Sequence, residues 1–515
     1  MPRPSRREAG AANALAALLG LAVFCYLLAY PPVLGRSDES VVLYGAKRIL
    51  QGQAIYRDFF EFITPGSFYF FAAVFALAGA TVQSAHAVMA AVNGIAAGLL
   101  FVLARRVASA LEATLVTAVF AALCLPLWPY ASPHWLSTAL SLAAAVVSLG
   151  AAAESPGRWR AAAAGALAGL TFAVQQNRGV VLGLWVVAAI VIRSVLPRRE
   201  GRTRWLGAVV AATLAGIAAI VPILGYSVWK ASAHDVVASI FTFVLGSYYA
   251  AHAGSTPWAG AAWVTGEAHA TWLPLLRTFP AVLAVEAVLL GWTLRTRRGA
   301  AEAERACLLL LAAVMSAAIL YYPDFIHVAF IAPFVLVIEA RLVFALRSRL
   351  RGMRWVAPLP ATLVALAVVA AGCKGWMNLR GAQDVARERF PTAFGTLAGQ
   401  GPERRLVERV REILGTDGAE SKPLFVYPAE AWLYLAVPAD NPTRYSLLLL
   451  RYNPPEHFRE ALARLDAADV EHVVVNASWL RAGDPVLAWL EGRYVPVAGV
   501  GPVGGIFTIY GRVHR

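Results

Sequence analysis

Cysteine is scarce in this chain, with four in 515 residues. Cys25, Cys124, Cys307 and Cys373 all lie in or beside apolar runs, and no two form a C-x-x-C pair. That spacing supports neither a disulfide framework nor a zinc site. Charge is also thin: 15% of residues are Asp, Glu, Lys or Arg, against 59% hydrophobic. This length would hold about three soluble domains or about a dozen membrane spans, and the hydropathy decides for spans. What charge there is leans positive, with 45 Lys and Arg against 31 Asp and Glu. Most arginines sit in short loops between apolar runs, and no basic patch interleaved with aromatics exists. Nucleic-acid binding therefore has no carrier, and the charge records topology.

The opening RPSRR precedes an apolar run from Ala11 to Pro32. A signal peptide would have a shorter apolar region and a small-residue cleavage site. The run is read as a first span with its N-terminus inside, which puts the Arg36–Gly66 loop outside. Ser67–Gly79 is apolar but falls short of the roughly 20 residues a crossing needs. If it crossed, Arg105 and Arg106 would land outside and every later loop would invert. If it lies at the interface and Ala85–Leu103 crosses, Arg105/Arg106, Arg158/Arg160, Arg193 through Arg204, Arg295 through Arg305 and Arg341 through Arg354 all fall inside. That satisfies the positive-inside rule in every loop. The expected architecture is a polytopic α-helical membrane protein of about 11 spans, with surface helices in the first outer loop. Further outer loops fall near Tyr130–His134, Gln175–Arg178, Lys230–Arg277 and Tyr321–His327.

The last span is expected to end near Lys374, dividing the chain into a membrane part, residues 1–375, and an outer domain, 376–515. In the second part Pro423–Tyr427, His472–Asn476 and Ile506–Tyr510 read as strands. They alternate with the helical patterns ERRLVERVREIL and PEHFREALARLD, which suggests a small α/β domain. It carries no glycine-rich phosphate loop and no catalytic triad. Asn476-Ala477-Ser478 is a formal glycosylation sequon, but it ends a strand.

Ionisable residues near the apolar phase cost several kcal/mol unless paired or wet, so their concentration between Arg36 and Gly66 is informative. Ser37 or Asp38 suits an N-cap and Gly52 a C′ position, so the intervening SVVLYGAKRIL is expected to form a short helix. Its apolar side suits the membrane surface, with Asp38 and Glu39 at the positive end of the helix dipole. The outer loops together offer Asp38, Glu39, Lys47, Arg48, Arg57, Asp58 and Glu61, then His134, then Gln175, Gln176, Asn177 and Arg178, then Asp324 and His327. The set contains candidate bases, cations for a phosphate and amides for a polar ligand. The bland readings stand beside these: Asp38 as a cap, Arg178 snorkelling to the interface or paired with Asp324, His134 as an interfacial residue. Asp324 and His327 would share a helix face, but two ligands make no metal site.

The run S-D-E-S-V-V-L-Y-G-A-K-R-I-L-Q-G, followed by Y-R-D-F-F-E-F-I-T-P-G and a short apolar helix ending Leu77-Ala78-Gly79, resembles the first outer loop of the C-type glycosyltransferase superfamily. It is most similar to the family 39-like members: protein O-mannosyltransferases, lipid A aminoarabinose transferases and their bacterial relatives. The resemblance covers roughly Ala11 to Lys374, and an outer C-terminal domain is common in that superfamily. It implies an integral-membrane transferase that moves a sugar from a polyprenyl-phosphate donor to a lipid, glycan or protein acceptor on the outer face of the plasma membrane, with inversion and without a cofactor. Under it Asp38 resembles the acidic residue that acts as base or orients the acceptor, Glu39 its neighbour, and Arg178 in Q-N-R-G the cation of a motif at a span end. Lys47, Arg48, Arg57, Glu61, His134, Gln176, Asp324 and His327 are the remaining donor- and substrate-binding candidates. Two departures stand out. Where some relatives have Glu-Lys-Pro, this chain has Glu61-Phe62-Ile63-Thr64-Pro65, and where some have an acid in the second outer loop it has Pro133-His134. The alternatives are a flippase or transporter for lipid-linked sugars, which would favour mid-bilayer charges and internal repeats, and a non-catalytic scaffold.

Overall fold

Helices in lipid gain nothing from burying apolar surface against one another, so close packing needs small residues. This chain supplies them. In the computed structural model Gly20 of helix α1 (Arg6–Leu28) meets Gly94 of α4 (Val82–Ala104), and a Cβ added at Gly20 would stand 2.8 Å from the Gly94 carbonyl oxygen. Helix α7 (Arg158–Val174) lies closer still on α9 (Arg204–Lys230). There a Cβ at Gly165 would come within 2.0 Å of the Ala212 oxygen, and one at Gly169 within 2.3 Å of the Gly216 oxygen. The structure describes residues 6–35, 38–150, 157–197, 204–252, 278–320, 325–350, 359–415, 421–450, 452–497 and 506–513.

Among the described residues the spans expected from the sequence are all present as helices. Besides those above they are α5 (Ala110–Val119, continued by a π-helical turn Phe120–Cys124), α6 (Pro133–Leu149), α8 (Gln176–Val195), and the later helices Phe279–Thr296, Ala300–Ala317, Phe325–Leu350 and Leu359–Val385. Eight helices are long and apolar enough to cross a membrane. The rest, α6, α7 and Ala300–Ala317, are shorter or more charged. Among the described residues several arginine-bearing helix ends come together at one end of the bundle. There Arg347 pairs with buried Glu112, Arg106 pairs with Glu304, and Arg193 donates to the Ser148 carbonyl. Glu286, deep in its helix, receives Arg305 at 3.1 Å and Arg341 at 2.7 Å.

The other end carries the first long loop and the C-terminal domain. Helix α2 (Asp38–Leu50) and α3 (Gly66–Ala78) form as the sequence indicates, and α3 at 13 residues is too short to cross. The environment of α2 differs from the expectation of a helix resting on the bilayer. Val42, Leu43, Tyr44, Gly45, Ala46 and Arg48 are all buried. Gly45 sits under the Phe68 ring of α3, and Tyr44 stacks on Tyr434 of the C-terminal domain at 4.9 Å. The apolar stripe faces protein on two sides because the C-terminal domain closes over it.

The final long helix does not stop near Lys374 but runs to Val385. Its extension is tied to the bundle: Tyr26 donates to the Gly375 carbonyl at 3.0 Å, and Asn378 donates to the Ala122 carbonyl at 2.7 Å. The domain proper starts with the hairpin β1 (Glu388–Thr392) and β2 (Gly395–Gly399). The expected strand at 423–427 splits into β3 (Lys422–Pro423), paired with β5 (Ala439–Asp440), and β4 (Phe425–Tyr427). A four-stranded sheet runs β4, β6 (His472–Asn476), β8 (Phe507–Arg512), β7 (Tyr494–Pro496), with β4 and β6 parallel and the rest antiparallel. The two helical patterns form Gly401–Leu414 and Pro455–Ala467. Asn476 of the sequon is buried, donating to Glu430 at 2.5 Å and accepting from Ser478, so its amide is occupied inside the domain.

Candidate functional site

Adjacent residues on a helix point about 100° apart, and at the start of α2 that angle separates two carboxylates. Asp38 is exposed. Glu39 is fully buried and accepts three bonds: from the Gly35 N–H at 2.6 Å, the Ala131 N–H at 2.6 Å, and His86 Nε2 at 2.9 Å. One carboxylate thus fastens the loop after α1, the loop before α6 and the first turn of α4. His86 escaped notice in the sequence because only the tertiary fold brings it to Glu39.

The chain returns toward Asp38 through the stretch Ala54–Pro65. Tyr56 is buried there with φ at +73°, a backbone conformation that costs a bulky side chain strain of order 1–3 kcal/mol. Two residues after Phe59 comes Glu61, 4% exposed. Among the described residues no hydrogen bond or ion pair closes on its carboxyl group. Burial holds its pKa well above the ordinary carboxyl range; the Arg48 charge opposes that rise and the Asp38 charge adds to it. Burial thus favours the protonated form of Glu61, and the Asp38 carboxylate acts on it electrostatically in the same sense.

The cations of this loop face protein. Lys47 donates to the Tyr434 carbonyl at 2.9 Å, and desolvation lowers its pKa. Arg48, 3% exposed, donates to Gln53, to the Asp58 carbonyl at 3.0 Å and with both terminal nitrogens to the Thr443 carbonyl at 3.4 Å. Its guanidinium lies over the Phe59 ring at 5.0 Å. Arg57 is exposed and pairs with Asp58 at 2.8 Å while donating to the Lys230 carbonyl; that pairing lowers the Asp58 pKa.

A second polar group forms where α6, α8 and the helix Phe325–Leu350 meet. Arg178, 1% exposed, donates through one terminal nitrogen to the His134 carbonyl at 3.1 Å, Ser137 Oγ at 3.1 Å and Thr138 Oγ1 at 2.8 Å. It does not snorkel: its charge is inside the protein, and its guanidinium lies 5.7 Å from the Phe330 ring. The His134 ring stacks flat on Phe330 at 4.5 Å, meets His327 edge-on at 4.9 Å and bonds Gln175 at 2.9 Å. Gln176 joins this group to the first loop, donating to the Phe62 carbonyl at 2.9 Å and accepting from the Thr64 N–H at 3.2 Å. Thus His134, Gln176, Arg178 and His327 come together, with Glu61 one residue from the Gln176 bridge. Lys47, Arg48 and Arg57 stand apart from them, and Asp324 lies outside the described residues. Ser137, Thr138 and Phe330 were not singled out in the sequence; their apolar spans concealed them. Among the described residues no three His, Cys, Asp or Glu side chains gather as a metal site would require.

No protein-family model matches the chain, and no curated protein matches it. Among solved structures it is similar to ArnT from Cupriavidus metallidurans bound to undecaprenyl phosphate, at 13% identity and a TM-score of 0.60 across 97% of this chain and 98% of that one. It is also similar to the Archaeoglobus fulgidus oligosaccharyltransferase tethered with an acceptor peptide, at 13% identity and a TM-score of 0.54 across 98% of this chain and 74% of that one. A further match is the archaeal oligosaccharyltransferase AglB in complex with an inhibitory peptide and a dolichol-phosphate, at 11% identity and a TM-score of 0.53. Nearly the whole chain, membrane bundle and C-terminal domain together, shares its fold with these solved structures.

Proposed function

We propose that this protein transfers a sugar from a polyprenyl-phosphate carrier to an acceptor at the end of the bundle that carries the C-terminal domain, on the outer face of the membrane. The observation that carries the reading is the placement of exposed Asp38 and buried Glu61, whose pKa burial raises, at the domain end of this fold. The physical logic is consistent. The lipid tail stays in the bilayer while the sugar phosphate reaches the interface, so the chemistry belongs where the helices meet the loops. Asp38 takes the proton of the acceptor hydroxyl as that oxygen attacks the anomeric carbon. The bond to the carrier phosphate breaks on the opposite side, giving inversion. Arg178, with His134 and His327 beside it, is the cation nearest in kind to what a departing lipid phosphate requires. Burial favours the protonated form of Glu61, and a protonated carboxyl does not repel a phosphate. Matches to proteins holding undecaprenyl phosphate and a dolichol-phosphate support a carrier of this class.

The test uses the lipid that co-purifies with the protein, identified by mass spectrometry, as donor in a transfer assay. Asn caps a helix as well as Asp, so Asp38→Asn removes the base and spares the fold. Turnover is expected to fall about a hundredfold to ten-thousandfold, with binding of undecaprenyl phosphate and thermal stability unchanged. Near-normal turnover of Asp38→Asn would overturn the assignment. Glu39→Gln is expected to act differently, since an amide cannot serve all three donors as acceptor; it should lower stability before it lowers turnover.

A further inference from the structure

Five residues of the C-terminal domain, Asn441–Tyr445, grip both sides of the first loop. On the α2 side the Asn441 N–H donates to the Tyr44 hydroxyl at 3.0 Å, and the Thr443 carbonyl accepts both terminal nitrogens of Arg48 at 3.4 Å. On the other side Arg444 donates to the carbonyl of strained Tyr56, and the Phe60 N–H donates to the Arg444 carbonyl at 2.8 Å, one residue before Glu61. The grip is itself stiff. Asn441 Oδ1 accepts from the Thr443 N–H at 2.9 Å and from its hydroxyl at 2.8 Å. Asn441 Nδ2 donates to the Tyr445 carbonyl at 2.9 Å, and the Tyr445 N–H donates to Thr443 Oγ1 at 3.1 Å. Arg48 is the member common to both sides, since it also reaches the Asp58 carbonyl at 3.0 Å.

We propose that Arg48 is a positioning residue: working through the Asn441–Tyr445 segment of the C-terminal domain, it sets the stretch that carries Glu61 against the helix that begins at Asp38. This rests on the transferase reading for its effect on rate, but its structural content does not. The Arg48 guanidinium is buried and bonds protein groups through all three of its nitrogens, at Gln53, Asp58 and Thr443. It has a fixed place between the helix that begins at Asp38 and the segment that ends at Glu61. Strain at Tyr56 persists only where surroundings over-determine the backbone, and here the C-terminal domain supplies the restraint. The charged and titratable groups acting on Glu61 are Arg48 and Asp38 of α2, and Tyr56 of its own stretch interacts with it electrostatically.

The test combines two readouts on full-length protein in nanodiscs. The first is infrared titration of the Glu61 carboxyl band, assigned by its loss in Glu61→Gln, which requires no activity. The second is transfer kinetics with the co-purified donor. Arg48→Met removes a cation from beside Glu61, so the carboxyl band should titrate at higher pH than in the wild type. Turnover should fall on the order of tenfold to a hundredfold, the scale of small misplacements of reacting groups, with KM for the donor unchanged. Arg48→Lys should restore the titration but only part of the turnover, because an ammonium lacks the fork that spans Asp58 and Thr443. Asn441→Ala, which loosens the grip without touching the membrane part, should lower turnover in the same direction and keeps the proposal testable if Arg48→Met does not fold. An unmoved Glu61 titration in Arg48→Met would overturn the proposal. So would a raised KM with kcat intact, which would make Arg48 a donor contact. Normal turnover in Asn441→Ala would remove the C-terminal domain from it. A shifted titration with no transfer by any form, wild type included, would leave the positioning geometry standing and reject the transferase reading.

Discussion

The two ends of the helix bundle treat buried acids in opposite ways. Away from the C-terminal domain, Glu112 near a helix start and Glu286 midway along its helix are fully buried and each meets arginine: Arg347 for one, Arg305 and Arg341 for the other. At the domain end Glu39 is held by backbone N–H groups and a histidine, and Glu61 has no bonded partner among the described residues. A buried acid matched to a buried cation fixes helix register, and removing one member leaves the other charge stranded. A buried acid without such a match costs stability and is retained where chemistry needs it. On the reading proposed above, the first end serves assembly and the second reaction.

The largest effect expected from breaking that comparison is at the assembly end. Glu286→Ala strands Arg305 and Arg341 and should destabilise the bundle by about 3–5 kcal/mol, read as a fall in melting temperature and in monodisperse yield. Undecaprenyl phosphate binding by the surviving folded protein should be unchanged. Next comes a contrast between two buried arginines. Arg178→Ala should weaken undecaprenyl phosphate binding tenfold to a hundredfold, since a charge-assisted contact is worth about 1.5–3 kcal/mol. Arg193→Ala, a buried arginine held at the opposite end by the Ser148 carbonyl, should leave that affinity alone. Equal losses from both would reduce Arg178 to a packing residue.

Glu61 allows a sharper test, through pH. Its folded pKa is raised, so the folded protein keeps a proton that the unfolded chain releases. Stability is then lost as pH rises from the ordinary carboxyl range through the raised value. Glu61→Gln should raise the melting temperature at about pH 8 and change it little at about pH 4, while turnover falls. The smallest effect concerns His457, which stacks on Tyr445 at 4.6 Å and Phe243 at 5.8 Å where the C-terminal domain meets the bundle. Burial depresses its pKa to about 4 from the ordinary 6.5. Below about pH 6.5 the unfolded chain takes up a proton that the folded one refuses, so stability is lost as pH falls toward 4. His457→Phe should keep the stacking and flatten melting temperature between pH 7 and pH 5.

Local sequence by itself determined the elements of this protein. Apolar runs made the helices, Gly and Ala at four-residue spacing allowed their close approach, and the β-branched run His472–Asn476 made the central strand. The arginine loops suggested an alternation, and Arg106, Arg193 and Arg347 do meet partners on neighbouring helix ends. The composition of the first loop marked where unusual chemistry concentrates. What the sequence could not decide is what each charge in that loop faces. Asp38 and Glu39 are neighbours in the chain, yet one is exposed and the other is fastened to His86, 47 residues away. Lys47 and Arg48 looked like phosphate ligands on a surface helix. They are instead the docking points of residues 387 and 395 positions further on. Contacts across such separations leave no local periodicity or cap to read. Only the tertiary fold, with the C-terminal domain closed over α2, decides which charged groups of that loop are fastened to protein and which are left exposed.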